Sequence, residues 1–447
     1  MIRVADGTLI TMDADSRVLA ATDLWIDGSR IVHMGPWDRA ADTVISAKGR
    51  MVMPGLVQPH IHLCQSLFRG LADDLELLDW LRLRIWPLEA AHDADSLYAS
   101  ARLGVAELLA GGTTTILDME TVHHTESAFL ALAESGIRAV AGKCLMDEPH
   151  PLLSEPMDTA LRESQDLRER WHGYDGGRLQ YAFAPRFALS VTDRLWRQLA
   201  AEALRTGTLV HTHVAENRRE VEEITARRGA TPLHHLDQMG LTDGRLVAAH
   251  GVWLTAAEQA LAARRGVGLV HCPSSNLKLG SGIAPVAEWQ RRGIAFGIGA
   301  DGAPCNNGLD GFWEMRLAGL LPKPAFGAAA VSAQAVVHAA TMGGARVLGL
   351  EDRIGSLEVG KEADVIVLDW QGVPHRPAVF SDPYSQLVYQ THSRDVMLTM
   401  VAGRVLYAEG RIKSMDRAAV VQDAEQAVQR VARRAGLDLA GATWLWQ

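Results

Sequence analysis

Apolar and polar positions follow two different rhythms along this chain. Between residues 9 and 52 they alternate with a period of two, the pattern of short half-buried strands separated by turn residues. Leu24-Trp25-Ile26, then Asp27-Gly28-Ser29-Arg30, then Ile31-Val32 reads as a hairpin. The same rhythm returns near the other end, at 363–368, 396–401 and 403–406. Two β-rich pieces flank one long middle segment, so the economical expectation is a small β-sandwich built from 1–55 and 359–415, with the middle inserted.

The middle, 56–358, alternates apolar runs with helical stretches. Its candidate strands end at His60, Asp118, Met146, Arg186, His213, His250, His271 and Asp301. Eight strands alternating with helices over about 300 residues predict an α/β fold, a (β/α)₈ TIM barrel, with its chemistry at the carboxyl-terminal strand ends. Several of these strands finish on His or Asp, as that placement requires. From Asp416 onward, Val421, Ala424, Val428 and Val431 fall at helical spacing and predict a closing amphipathic helix in a tail spanning 416–447. Its apolar face reads as packing, not as a cofactor site.

Composition narrows the function classes. At 447 residues and 48% hydrophobic, the chain can bury a large core. Lys plus Arg number 44 against 53 Asp plus Glu, a net charge of −9 spread along the chain, which argues against nucleic acid as a partner. Cys64, Cys144, Cys272 and Cys305 lie far apart with no C-x-x-C pair, so they read as reduced thiols. The first residues lack the basic-then-apolar order of a signal peptide, and no run of about 18 apolar residues occurs. The expectation is a cytoplasmic protein with no membrane partner.

The chemistry concentrates at the strand ends. In Pro59-His60-Ile61-His62 the two imidazoles stand at i and i+2 and share one face of a strand, which is half of a zinc or iron site. His213 ends the fifth strand in His211-Thr212-His213-Val214-Ala215-Glu216, with Glu216 just beyond it. His211 would sit one layer deeper, where a hydrogen-bonded core histidine is favoured. Glu216 reads either as a solvated surface acid or as a carboxylate turned over the metal. His250-Gly251 and Asp301-Gly302 end the sixth and eighth strands, and each polar residue alone could be structural. Together, His60, His62, His213 and Asp301 offer three imidazoles and a carboxylate to a metal. Glu216, His250 and Asp301 are left to move protons. A bound divalent metal lowers the pKa of water from about 15.7 to about 7. The reaction this suits is hydrolytic attack on an electron-poor ring carbon, with an acid protonating the ring nitrogen and the leaving amine.

Absences narrow it further. The fourth strand, Gln180 to Arg186, has no lysine to form a carbamate bridging two metals, so one metal per chain is expected. The cytidine-deaminase P-C-x-x-C pair is missing, as are G-x-G-x-x-G, P-loop and G-x-S-x-G motifs.

These residues resemble the amidohydrolase superfamily, in the branch of adenosine-type, guanine and s-triazine aminohydrolases. The likeness runs from about residue 5 to 410. It is carried by Pro54-Gly55-Leu56 with His60 and His62, by His213 with Glu216, and by His271-Cys272-Pro273-Ser274-Ser275-Asn276-Leu277-Lys278-Leu279. It continues in Asp301-Gly302-Ala303 with Asn306-Asn307 and in Gly355-Ser356-Leu357-Glu358-Val359-Gly360-Lys361-Glu362-Ala363-Asp364. The resemblance implies a (β/α)₈ barrel with a β-sandwich and one zinc or iron. His60, His62, His213 and Asp301 would be the ligands, and Glu216 and His250 the catalytic pair. A homodimer or larger assembly is also expected.

Within the branch, Leu67-Phe68-Arg69-Gly70-Leu71-Ala72-Asp73-Asp74 and Trp86-Pro87-Leu88-Glu89 look like the loop of deaminases acting on 5′-deoxyadenosine, 5′-methylthioadenosine and S-adenosylhomocysteine. Glu89 falls where those enzymes hold the ribose hydroxyls. Gln65 and Arg186 look instead like the base-binding pair of guanine deaminases, which keeps guanine, pterin and triazine substrates open. The apolar stretch 75–88, with Trp80 and Trp86, is either a lid or a subunit contact. A non-catalytic barrel scaffold is a third reading, disfavoured because every expected ligand and both proton movers are present.

Overall fold

The Leu24–Val32 hairpin forms as read: Val18–Asp27 turns through Gly28 and Ser29 into the antiparallel strand Arg30–Met34. Gly28 takes φ +56°, the left-handed conformation that such tight turns demand. This computed structural model describes residues 1–377 and 381–437. The hairpin is one edge of a nine-stranded sheet that draws on both ends of the chain. Its path runs from Arg411–Ile412 through Arg404–Ala408, Val396–Val401 and Val365–Leu368 to Met51–Pro54, Ile2–Ile10 and the hairpin, with Thr43–Ser46 added beside Ile2–Ile10. The two ends meet where Val365–Leu368 pairs antiparallel with Met51–Pro54. One apolar cluster contains Val4, Leu24 and Val52 together with Val365, Leu398 and Met400, so the two pieces share a core.

Eight parallel strands follow the first sheet. They begin with Leu56–His62, Thr113–Met119, Arg138–Gly142 and Leu179–Tyr181. Val210–Val214, Leu246–His250, Gly268–His271 and Phe296–Ile298 complete the set. Phe183 bridges Val210 in parallel, and Asp301 and Gly302 pair with Ile61 and His62, so the eighth strand returns to the first and the ring closes. Every residue of the first two strands is buried, as expected of parallel strands covered on both faces.

Two departures from the strand pattern have physical causes. The third strand breaks at Lys143 before resuming at Cys144–Leu145, and the fourth resumes at Ala184–Pro185 after a gap. A Cβ on Gly142 would stand 2.0 Å from the Ala182 carbonyl oxygen, so the two strands approach where only glycine fits and bend there together. In the tail, the helix Arg417–Arg434 is capped by the Asp416 side chain. It buries Val420, Ala424, Ala427 and Val431, while Val421 is 42% exposed. Of the expected stripe, Ala424 and Val431 are buried and Val428 packs against the same cluster, while Val420 takes the place expected of Val421. The alanines let this helix lie close against Ala94–Ala110, with Ala99 in the same cluster. Residues 438–447 of the expected tail lie outside the described residues. All four cysteines are buried and free. No described helix is long and apolar enough to cross a membrane.

Candidate active site and metal centre

Four strand ends converge at the mouth of the barrel. His60 and His62 come from the first strand, His213 from the fifth, His250 from the sixth, and Asp301 from the pairing that closes the ring. His62 Nε2 lies 3.2 Å from His213 Nε2 and 3.2 Å from Asp301 Oδ1. His60 Nε2 stands 3.1 Å from the same carboxylate oxygen. The candidate ligand atoms of these four residues all lie within 4.8 Å of one another.

Proton placement decides what this cluster is for. His62 Nδ1 is 2.8 Å from the Met119 carbonyl oxygen, and His213 Nδ1 is 2.8 Å from that of Arg186. A carbonyl can only accept, so both Nδ1 atoms donate, and in the neutral rings that bind a metal both Nε2 atoms present lone pairs. Two lone pairs facing each other at 3.2 Å, beside a carboxylate oxygen, repel unless a cation stands among them. His60 Nε2 points into the same place, buried and with no hydrogen-bond partner. Three imidazole nitrogens and a carboxylate suit a borderline divalent ion such as zinc. The residues fit a metal.

The surrounding groups hold these ligands in place. His60 Nδ1 is 2.8 Å from His211 Nε2, so the deeper histidine is hydrogen-bonded to a ligand candidate instead of merely packed. The Asp301 carboxylate accepts from Ser275 Oγ at 2.6 Å and from the Gly302 amide at 2.8 Å. Burial alone would raise the Asp301 carboxyl, but His60 and His62 outweigh it and hold it well below the usual range. His250 donates from Nδ1 to Asn276 Oδ1 at 2.9 Å, which leaves its Nε2 as an acceptor 3.4 Å from Glu216 Oε2 and 3.9 Å from Asp301 Oδ2. Burial pushes the His250 imidazole down, so it stays neutral. Burial, followed by the charge of Asp301, pushes the Glu216 carboxyl well above its ordinary value. A neutral imidazole acceptor thus faces a carboxyl whose protonated form burial favours. That is the pairing a proton relay needs.

A small cavity opens beside the cluster. His62, His213, Glu216 and Asp301 line it together with Gln65 and Arg186, and Leu77, Trp80 and Leu81 add an apolar part to the lining. The 75–88 stretch therefore lines the pocket with part of its apolar surface. Glu89, the residue expected at a sugar, is engaged by two neighbouring side chains. Its carboxylate accepts from Arg186 Nη1 at 2.6 Å, from Arg186 Nη2 at 3.1 Å and from Gln65 Nε2 at 2.8 Å. The three proposed substrate residues thus form one buried network, from which Gln65 Oε1 is left without a partner.

An eight-stranded barrel with this cluster at its mouth defines a class of metal-dependent hydrolases, and residues 51–406 match the Amidohydrolase family. The chain belongs to that family. It is 37% identical over 437 residues to a 5-methylthioadenosine/S-adenosylhomocysteine deaminase of Symbiobacterium thermophilum, covering 96% of this chain and 99% of that one. It is 38% identical over 388 residues to a 5′-deoxyadenosine deaminase of Methanothermobacter thermautotrophicus, covering 87% and 89%. The solved structure of an adenosine deaminase of Xanthomonas campestris with bound zinc superposes with a TM-score of 0.91 at 35% identity, over 97% of this chain and 98% of that one.

Sequence reasoning gave no role to Ser275 and Asn276, although both stand in the His271–Leu279 block that was singled out. The signal was there: two short polar residues after an apolar strand, facing the mouth. It also passed over Glu220, which lines the pocket four residues beyond Glu216. Glu220 reads in sequence as one more helix-surface acid.

Proposed function

We propose that this protein is a metal-dependent hydrolytic deaminase that removes the 6-amino group of a 5′-modified adenosine: 5′-deoxyadenosine, methylthioadenosine or S-adenosylhomocysteine. It acts on a C–N bond of a cyclic amidine. The observation that carries the reading is the pair of opposed Nε2 lone pairs of His62 and His213 beside Asp301, with Glu216 and His250 within reach. The relatives' activities agree with that chemistry.

In this reading His60, His62, His213 and Asp301 hold one zinc, with iron as the alternative. The ion supplies a nucleophile at neutral pH by bringing the ionisation of water near neutrality. His250 accepts the proton at Nε2, its ring fixed by Asn276. Glu216 gives its carboxyl proton to the ring nitrogen, takes up the proton of the hydroxyl that has added to the ring carbon, and passes that proton to the departing amine. The Asp301 oxygen held by Ser275 keeps the carboxylate from rotating away. Gln65 Oε1 and Arg186 hold the heterocycle, with Glu89 fixing the guanidinium in its plane. Leu77, Trp80 and Leu81 exclude water.

The second reading, a guanine, pterin or triazine aminohydrolase, draws on the Gln65–Glu89–Arg186 network, because a Glu89 engaged by two side chains is less free to bind ribose. Under either reading, the nine-stranded sheet closes on itself as a β-sandwich, with 1–55 and 359–415 as its two parts and 56–358 as the barrel. We take the enzyme to work in the cytoplasm as a homo-oligomer. Leu83, 53% exposed on the segment that lines the pocket, is the side chain to probe for a subunit contact.

The test combines metal analysis with ammonia release from adenosine, 5′-deoxyadenosine, methylthioadenosine, S-adenosylhomocysteine, guanine, pterins and triazines. One tightly held metal per chain and preference for a 5′-modified adenosine are expected, with activity lost on chelation and regained with zinc. Glu216→Gln keeps shape and metal but cannot donate, so kcat should fall by roughly 10²–10⁴. Full activity in metal-free protein, or a Glu216→Gln loss below about fivefold, overturns the mechanism.

A further inference from the structure

We propose that Glu220 is a positioning residue for Glu216, holding the turn that aims the Glu216 carboxyl into the pocket. The proposal rests on the reading of Glu216 as the proton carrier. Glu220 is the third residue of the helix Arg218–Arg228, where a carboxylate commonly reaches back to the amide of the N-cap. Here it reaches further. Its Oε2 accepts from the Asn217 amide at 3.2 Å and from the Glu216 amide at 2.7 Å, so one oxygen clasps two consecutive backbone N–H groups.

The turn needs such a clasp. Ala215 has φ +52°, a left-handed conformation that a non-glycine residue keeps only when its surroundings impose it. The Glu216 side chain is held by little else: Oε1 has no hydrogen-bond partner, and Oε2 stands 3.4 Å from His250 Nε2. Its direction is therefore set mainly by its backbone, and Glu220 holds that backbone.

Glu220 is also not an ordinary surface cap. It is 1% exposed, it lines the same cavity as Glu216, and its Oε1 is buried without a partner. Burying a carboxyl there costs free energy that a solvent-facing cap would avoid, so stability alone gives no reason for its position.

The test compares Glu220→Ala, Glu220→Gln and Glu216→Gln in the metal-loaded enzyme with methylthioadenosine, measuring kcat, KM, metal content and thermal unfolding. Glu220→Ala removes the clasp but leaves the helix its Asn217 cap, so it should fold. A misaimed acid should lower its kcat by about 10- to 100-fold, with KM within about threefold and metal content unchanged. Glu220→Gln keeps an oxygen for both amides and should recover most of that loss. A purely structural role would lower the unfolding temperature without this split between kcat and KM. The proposal is overturned if Glu220→Ala keeps kcat within twofold, if it loses metal, or if Glu220→Gln is as impaired as alanine. Glu216→Gln separates the two layers. If it is active, the reading of Glu216 fails and takes the clasp with it. If it is inactive while Glu220→Ala is normal, only the clasp fails.

Discussion

The proton between His60 and His211 has one place to be once a cation is bound. His60 then gives its Nε2 to the metal, so Nδ1 carries the proton and donates to His211 Nε2 at 2.8 Å. Burial, reinforced by the neighbouring histidines, drives the His211 imidazole well below its usual range, so it remains a neutral acceptor. His211→Phe should weaken zinc binding about 10- to 100-fold, as loss of an outer partner of a ligating histidine does. Competition with a chromophoric chelator measures this, and an unchanged affinity would sink the assignment. The Glu89–Arg186 pair makes a different prediction. Both side chains are buried, so Glu89→Ala leaves an unpaired guanidinium and should cost about 3–5 kcal/mol of stability. Adding Arg186→Met should restore much of that loss in a denaturant titration, whereas additive losses would show that the charges do not compensate each other. At this scale the sequence was legible where spacing encodes chemistry: H-x-H, His213 with Glu216, His250-Gly251 and Asp301-Gly302 meet at one mouth. It was not legible where one side chain answers another. Glu89 and Arg186 are 97 residues apart, and nothing in either neighbourhood says that they bond.

Strand ends position these groups, and their backbones are unusual. His250 and Asp301 have φ +75° and +64°, both left-handed, so two polar residues of the site sit where the chain leaves its strand abruptly. The glycine that follows each of them in sequence is the visible trace of those turns. Close approach matters as much as conformation. A Cβ on Gly299 would lie 2.7 Å from the His60 carbonyl oxygen, so Gly299→Ala must push the eighth strand away from the first. Overpacking of this kind costs about 1–3 kcal/mol. Because the displaced strands carry Asp301, His60 and His62, metal should be lost before the fold is. A variant of full metal content and reduced melting temperature alone would refute that coupling. Periodicity showed the elements and their order, since buried parallel strands are continuous apolar runs. It did not show the breaks at Lys143 and after Tyr181, which arise from contact between neighbouring strands. In the tail it chose Val421 where Val420 is buried, because both satisfy helical spacing with Ala424 and Val431.

Across the whole molecule, Arg138 ties the barrel to the chain that returns toward the nine-stranded sheet. It is 1% exposed, starts the third barrel strand, and donates to both oxygens of Asp364 at 2.8 and 2.9 Å while pairing with Glu362. Arg138→Leu would leave the Asp364 carboxylate without its cation in the interior, while Arg353 still pairs with Glu362, and should cost about 3–5 kcal/mol. Activity per folded molecule should persist, because the site lies at the opposite strand ends. A loss of kcat in protein shown to be folded would contradict this. The meeting of the two chain ends in one sheet was visible from the matching β-rich stretches, but this anchoring pair was not. Barrel closure by Asp301 and Gly302 against Ile61 and His62, and completion of the sheet by Val365–Leu368 against Met51–Pro54, also bear on how the protein is made. Synthesis delivers the first barrel strand early and its closing partner some 240 residues later, and contacts so distant in sequence form slowly. A nascent chain that has not yet passed Gly302 holds its histidines without their carboxylate. Metal uptake therefore waits for the last strand, and stalled or truncated chains should emerge from the ribosome unable to claim zinc.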